Sequence, residues 1–129
     1  MMKGILFGSL LSMVLQVSDC KSPGKLSTCY KGRLEIKGLC SNYTIKILEG
    51  NMDTALKMKS WVDDQTGKTH TDVFALANPC SFPDDIEEGD EFYFAISTGK
   101  EEKCNVCMAY YPVPQKRVSI SVLQKPCTQ

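Results

Sequence analysis

Tyr43-Thr44-Ile45-Lys46-Ile47-Leu48, closed by Glu49-Gly50-Asn51, is the stretch on which the fold turns. Tyr43, Ile45 and Ile47 fall on every second position, with Thr44, Lys46 and Leu48 between them. Side chains of a strand alternate between two faces, so this spacing predicts a half-buried strand. The Glu-Gly-Asn tripeptide is a turn signal.

The same alternation extends outward in both directions. Upstream, Leu34 and Ile36 alternate with Arg33, Glu35 and Lys37. Before them, Lys21 to Lys31 is polar, carries Ser22-Pro23-Gly24, and reads as an extended arm pinned by Cys20 and Cys29. Downstream, Leu56 and Met58 alternate with Lys57 and Lys59 up to Trp61, and Asp63 to Thr69 is a polar turn around Thr66-Gly67. Val73 to Ala77 is an unbroken apolar run ending at Asn78-Pro79. Phe92, Phe94 and Ile96, then Val106 to Tyr111, then Val118, Ile120 and Val122 continue the series. About seven short strands separated by turns predict an antiparallel barrel or sandwich. Only residues 51–59 could pass for a helix, so the fold class is all-β with at most a short flanking helix.

The amino-terminal residues read as an export signal. Met1-Met2-Lys3 is a short basic start, and Gly4 to Val17 is uncharged and mostly apolar. That run is too short to span a bilayer and polar sequence follows at once. Cleavage is expected near Ser18, giving a signal over 1–18 and a single domain over 19–129. No other stretch is apolar enough for a membrane span. Fifteen basic residues balance fifteen acidic ones, and removal of Lys3 with the signal changes this by one charge. Neither a nucleic-acid footprint nor a polybasic membrane patch is present.

Seven cysteines, at 20, 29, 40, 80, 104, 107 and 127, span nearly the whole mature chain. In a small exported protein they form a disulfide framework. Their spacing leaves the pairing open. The odd number leaves one thiol free or intermolecular, so a disulfide-linked dimer is one expectation.

No catalytic set is legible, and the chain reads as a non-enzyme without metal or cofactor. His70, the sole histidine, lies in the polar stretch Lys68-Thr69-His70-Thr71 and is expected at a solvated strand edge. A zinc site would have to be built from cysteines, which export commits to bridges. Cys104-Asn105-Val106-Cys107 has redox-motif spacing but lacks a helix start after its first cysteine. The acidic run Asp84 to Glu91 lacks the alternating oxygen ligands of a calcium loop and reads as a solvated turn. Asn42-Tyr43-Thr44 is an N-glycosylation sequon, which requires Asn42 to face solvent while Tyr43 and Ile45 point the other way.

Four stretches together carry a family likeness. These are Gly32 to Ile36 leading into Cys40 and Tyr43 to Leu48; Val73 to Cys80; Glu88 to Ile96; and Cys107 followed by Tyr110-Tyr111-Pro112-Val113-Pro114 and then Cys127. In this order they resemble the netrin-like (NTR) domain, and within it the amino-terminal domain of tissue inhibitors of metalloproteinases (TIMP). The likeness covers most of residues 20–127. It implies a five-stranded OB-fold-like antiparallel β-barrel with flanking segments, stapled by disulfides. It also implies the pairings Cys20–Cys80, Cys29 with Cys104 or Cys107, and Cys40–Cys127.

Inhibitors of this family block a protease's catalytic zinc with the amine and carbonyl of a first-residue cysteine. Carried across, the likeness places Cys20 and Lys21 at the protease, beside a ridge formed by Ala77-Asn78-Pro79. Two departures stand against this. The next cysteine after Cys20 is nine positions on, where the inhibitors begin Cys-x-Cys. A cut after Ser18 also leaves Asp19 ahead of Cys20 and turns its amine into a peptide nitrogen. Two readings follow: a secreted metalloproteinase inhibitor whose partner is a zinc metalloproteinase, or a non-inhibitory extracellular NTR module that binds another extracellular or matrix protein.

Overall fold

The computed structural model describes residues 29–98 and 110–127. Seven strands appear: β1 Cys29–Lys37, β2 Tyr43–Glu49, β3 Met58–Val62, β4 Thr69–Leu76, β5 Glu91–Ile96, β6 Arg117–Val118 and β7 Ile120–Leu123. Two single 3-10 turns, Leu39–Ser41 and Pro79–Ser81, are the helical elements among the described residues. The fold is therefore all-β, as the alternation predicts.

Several local expectations change. Residues 51–59 form no helix. Asp53 instead caps a turn, its carboxylate accepting from the Ala55 N–H at 2.9 Å and its carbonyl from Leu56 at 3.0 Å. The polar arm ends earlier than its composition suggests, because Cys29, Tyr30 and Lys31 belong to β1. Tyr30 is buried and stacks on Phe94 of β5 at 5.3 Å between ring centroids, and that contact extends the strand. The strand read from Val106 to Tyr111 falls largely outside the described residues. The seventh strand comes instead from a break at Ser119 in the last one.

Pairing runs in the order β3-β4-β2-β1-β5-β7. All of these pairs are antiparallel. β6 lies off this path and pairs with β4 in parallel, Ala75 opposite Arg117 and Leu76 opposite Val118. Since β6 and β7 flank one residue, a single segment joins β4 to β5. Backbone bonds reinforce both sides of this join: Ala77 donates to Val118 at 2.9 Å, and Ser97 donates to Ser119 at 2.8 Å. The pairings thus form a circuit, β1-β2-β4-β6/β7-β5 and back to β1.

One face of these strands builds the core. Tyr30, Leu34, Ile45, Phe74, Phe92, Phe94, Val118 and Ile120 are buried against one another. On β4 the residues that alternate with Phe74 and Leu76 are also buried: Val73 and Ala75 face the opposite side. A strand buried on both faces reads as a continuous apolar run, which accounts for Val73 to Ala77. The segment ahead of β6 crosses this region, with Pro112 and Pro114 buried and the Lys116 carbonyl accepting from Ala75 at 2.8 Å. Tyr111 of this segment rests on Gly38, where a side chain would collide with its ring.

Cys29 is bonded to Cys127, with the Cα atoms 5.5 Å apart. This overturns two pairings that the family likeness implies, Cys40–Cys127 and Cys29 with Cys104 or Cys107. The physical reason is topological: Cys29 opens β1 opposite Ala95 on β5, and β5 carries β7, after which Cys127 follows directly. Cys40 and Cys80 are also disulfide-bonded. Cys20, Cys104 and Cys107 lie outside the described residues, and with them the Cys20–Cys80 pairing and the spare thiol.

The acidic run is an exposed turn, but it has an organiser at its centre. Lys37 Nζ donates to the Ile86 carbonyl at 2.9 Å and to Glu87 Oε1 at 3.1 Å, and its backbone N–H donates to Glu88 Oε1 at 2.9 Å. The hydrogen bond to Glu87 holds the Lys37 ammonium above its ordinary pKa. Among the described residues no group of three or more His, Cys, Asp or Glu could hold a metal. No helix among them is long and apolar enough to cross a membrane.

Candidate binding surface

The polar side chains that converge most closely lie on the outer face of β1, β3 and β4. Glu35 sits where the β1–β2 register shifts between Leu34 and Ile36, so its side chain stands out of the regular ladder. Arg33 donates twice to Glu35 Oε2, from Nε at 2.9 Å and from a terminal nitrogen at 2.7 Å. The other oxygen, Oε1, lies 3.0 Å from Nδ1 of His70 on β4. Trp61 of β3 is directly opposite His70 in the ladder, and the two rings are 5.6 Å apart.

His70 is only 6% exposed, which overturns the expectation of a solvated strand edge. Its neighbours Thr69 and Thr71 are exposed, so the local composition is read correctly, but the residue itself is not. The partner that buries it, Glu35, is 35 positions away in sequence. Counting outward from the Thr66-Gly67 turn sets Asp72 opposite Trp61, whereas the hairpin is centred between Gln65 and Thr66 and brings His70 there.

Burial opposes the charge on Glu35, but the hydrogen bonds and charges of Arg33 and His70 outweigh it. The carboxyl is held below its ordinary pKa. An ionised carboxylate only accepts, so Nδ1 of His70 carries the proton in this pair. The sign of the pH dependence follows. A carboxyl with a lowered folded pKa stabilises the fold above its unfolded pKa, and loses that contribution as pH falls through the folded value. Glu35→Gln is expected to cost about 1.5–3 kcal/mol at neutral pH, as for a hydrogen bond to a charged group. In urea titrations the gap between variant and parent should close on acidification below the ordinary carboxylate range. A gap that persisted in acid would show that the charge is not what matters.

Two large apolar side chains stand exposed near the polar β3–β4 turn. Val62 is 55% exposed and Tyr110 is 77% exposed. The Tyr110 hydroxyl donates to Asp64 Oδ2 at 3.4 Å, which brings the ring to the β3–β4 turn. That turn is held by Asp63, which is buried and accepts from the Gln65 N–H at 2.9 Å. β3 ends the strand order, so among the described residues its outer edge has no strand partner.

Of the residues assigned to protease contact by the family likeness, Asn78 and Pro79 are among those described. Cys20 and Lys21 lie outside the described residues. Asn78 is buried and works as a clamp: its amide donates to the Ile120 carbonyl at 2.7 Å and to Ser81 Oγ at 3.0 Å, and its oxygen accepts from the Ile120 N–H at 2.9 Å. Pro79 remains half-buried and Cys80 exposed. Beside Ala77 an open groove of about 310 Å³ runs between Leu56, Ile96, Thr98 and Arg117. Asn42 is half-buried and directly precedes β2.

No family model, no curated protein and no solved structure matches this chain.

Proposed function

We propose that this chain is an exported, non-enzymatic binding module built on an OB-type barrel, which docks another extracellular protein through the β3–β4 hairpin. The observation that carries the reading is the exposure of Val62 at the end of β3 and of Tyr110, whose hydroxyl bonds to Asp64 in the β3–β4 turn. Exposed apolar and aromatic side chains rimmed by charge have the composition of interface anchors. The strand circuit with its one parallel pair supports the barrel, in the order an OB-type fold needs. The cysteine order that the NTR likeness implies is not kept, since Cys127 is bonded to Cys29.

Between the two sequence readings, the non-inhibitory one is better supported. In the inhibitor reading Asn78 belongs to the ridge that meets the protease, yet its polar atoms are spent inside the fold. The test is the amino terminus together with an inhibition assay. The protein secreted from eukaryotic cells is expected to begin at Asp19 and to leave zinc endopeptidases active at equimolar ratio. A chain beginning at Cys20 that inhibited them stoichiometrically would overturn the proposal in favour of zinc blockade.

A further inference from the structure

Thr44 is the one buried side chain whose polar atom has no hydrogen-bond partner among the described residues. It is wholly buried, at 0% exposure. In the ladders Thr44 stands opposite Ile36 on one side and Ala75 on the other. Directly opposite residues share a face, so its hydroxyl lies in an apolar row. An unpaired buried hydroxyl costs free energy, and a valine of nearly the same volume would avoid that cost. The fold by itself gives no reason for a threonine here.

The sequence does give one. Thr44 is the third residue of Asn42-Tyr43-Thr44, in which the hydroxyl residue is the part that the glycosylation machinery reads. The backbone presents the first residue accordingly. Cys40 and Ser41 both adopt left-handed conformations, φ 59° and 62°, and turn the chain sharply just before Asn42. The Asn42 amide nitrogen donates to the Leu39 carbonyl at 2.8 Å, in an exposed setting. Leu39 itself is 71% exposed, an apolar side chain left bare beside Asn42.

We infer that Asn42 carries an N-linked oligosaccharide, and that Thr44 serves this modification rather than the fold. The inference rests on the export part of the proposed function and not on the hairpin. Asn42 Nδ2 bonds to the anomeric carbon of a lipid-linked oligosaccharyl pyrophosphate. The bond from that carbon to the pyrophosphate oxygen breaks, the lipid pyrophosphate leaves with the electron pair, and Nδ2 gives up one proton. Nδ2 keeps its second hydrogen, which suffices for the bond to Leu39. The sugar would then cover the exposed Leu39. Because Thr44 is sealed once β2 has paired, transfer must precede folding.

The experiment uses the full chain expressed in eukaryotic secretory cells, with intact mass before and after peptide N-glycosidase. The parent is expected to carry a glycan at Asn42; Thr44→Val and Asn42→Gln should lose it, and Thr44→Ser should keep it. A second measurement isolates Thr44. For glycan-free protein refolded with its disulfides, Thr44→Val is expected to raise the melting midpoint by about 4–8 °C. Secreted parent protein with an unmodified Asn42 would overturn the glycan and leave the export reading standing. A chain found only in the cytosol would overturn both. A glycan-free Thr44→Val variant no more stable than the parent would overturn the role given to Thr44.

Discussion

Replacing Cys29 and Cys127 together by alanine is expected to cost about 4–5 kcal/mol of unfolding free energy. The two residues are 98 positions apart, and the chain-entropy model assigns about 4.7 kcal/mol to a loop of about that length. The bridge also holds the start of β1 to the end of the β7 segment across β5, so its loss frees both ends of the circuit at once. Urea denaturation of the oxidised double variant against the parent measures the effect. Peptide mapping without reduction supplies the accompanying identity: the peptide holding Cys127 should be joined to the one holding Cys29. A junction with Cys40 would restore the cysteine order of the family likeness and remove the basis of this prediction.

Phe94→Ala is expected to have the second large effect, about 3–5 kcal/mol, as for other buried phenylalanines cut to alanine. Phe94 is fully buried, and its ring lies 5.3 Å from that of Tyr30 and 5.8 Å from those of Phe74 and Phe92. Those three partners come from β1, β4 and β5, so one ring joins the two sides of the circuit. Gly32 lies against it, and a side chain there would press into the Phe94 ring. Truncation leaves a void that flanking backbone on three strands cannot easily fill. Thermal and urea unfolding should both register the loss. A change below about 1 kcal/mol would mean that the aromatic cluster repacks, contrary to the cost of such voids in close-packed cores.

The elements that were legible in the sequence are those whose information is local. β5 alternates along its first residues and β2 does so apart from its buried Thr44, and Gly50 at φ 110° follows β2 where a turn was expected. The run Val73 to Ala77 announced burial on both faces, although nothing nearby said what would cover the second one. Partner choice is not local. The parallel pairing of β6 with β4 joins residues more than forty positions apart, and alternation carries no record of it. The Cys29–Cys127 bridge was missed for a related reason: Cys29 was read as part of a polar arm, because Tyr30 finds its stacking partner only on β5. His70 was misread in the same way, since the carboxylate that buries it comes from β1. For the candidate surface, the cluster of Arg33, Glu35 and His70 depends on a register shift that exchanges no residue type and leaves no mark in composition.

The join made by β6 and β7 also sets an order of events. Neither β4 nor β5 can complete its pairing until residues 117–123 have been synthesised, and the bridge waits for Cys127. At about 5–20 residues per second, the interval between the emergence of Asn42 and of Cys127 is on the order of ten seconds. Contacts this distant in sequence also form slowly once the chain is complete. The late-arriving strand therefore acts as a timer. It leaves β4 and β5 each short of one neighbour until residues 117–123 arrive, so mutations there should slow completion of the sheet without changing its first pairings.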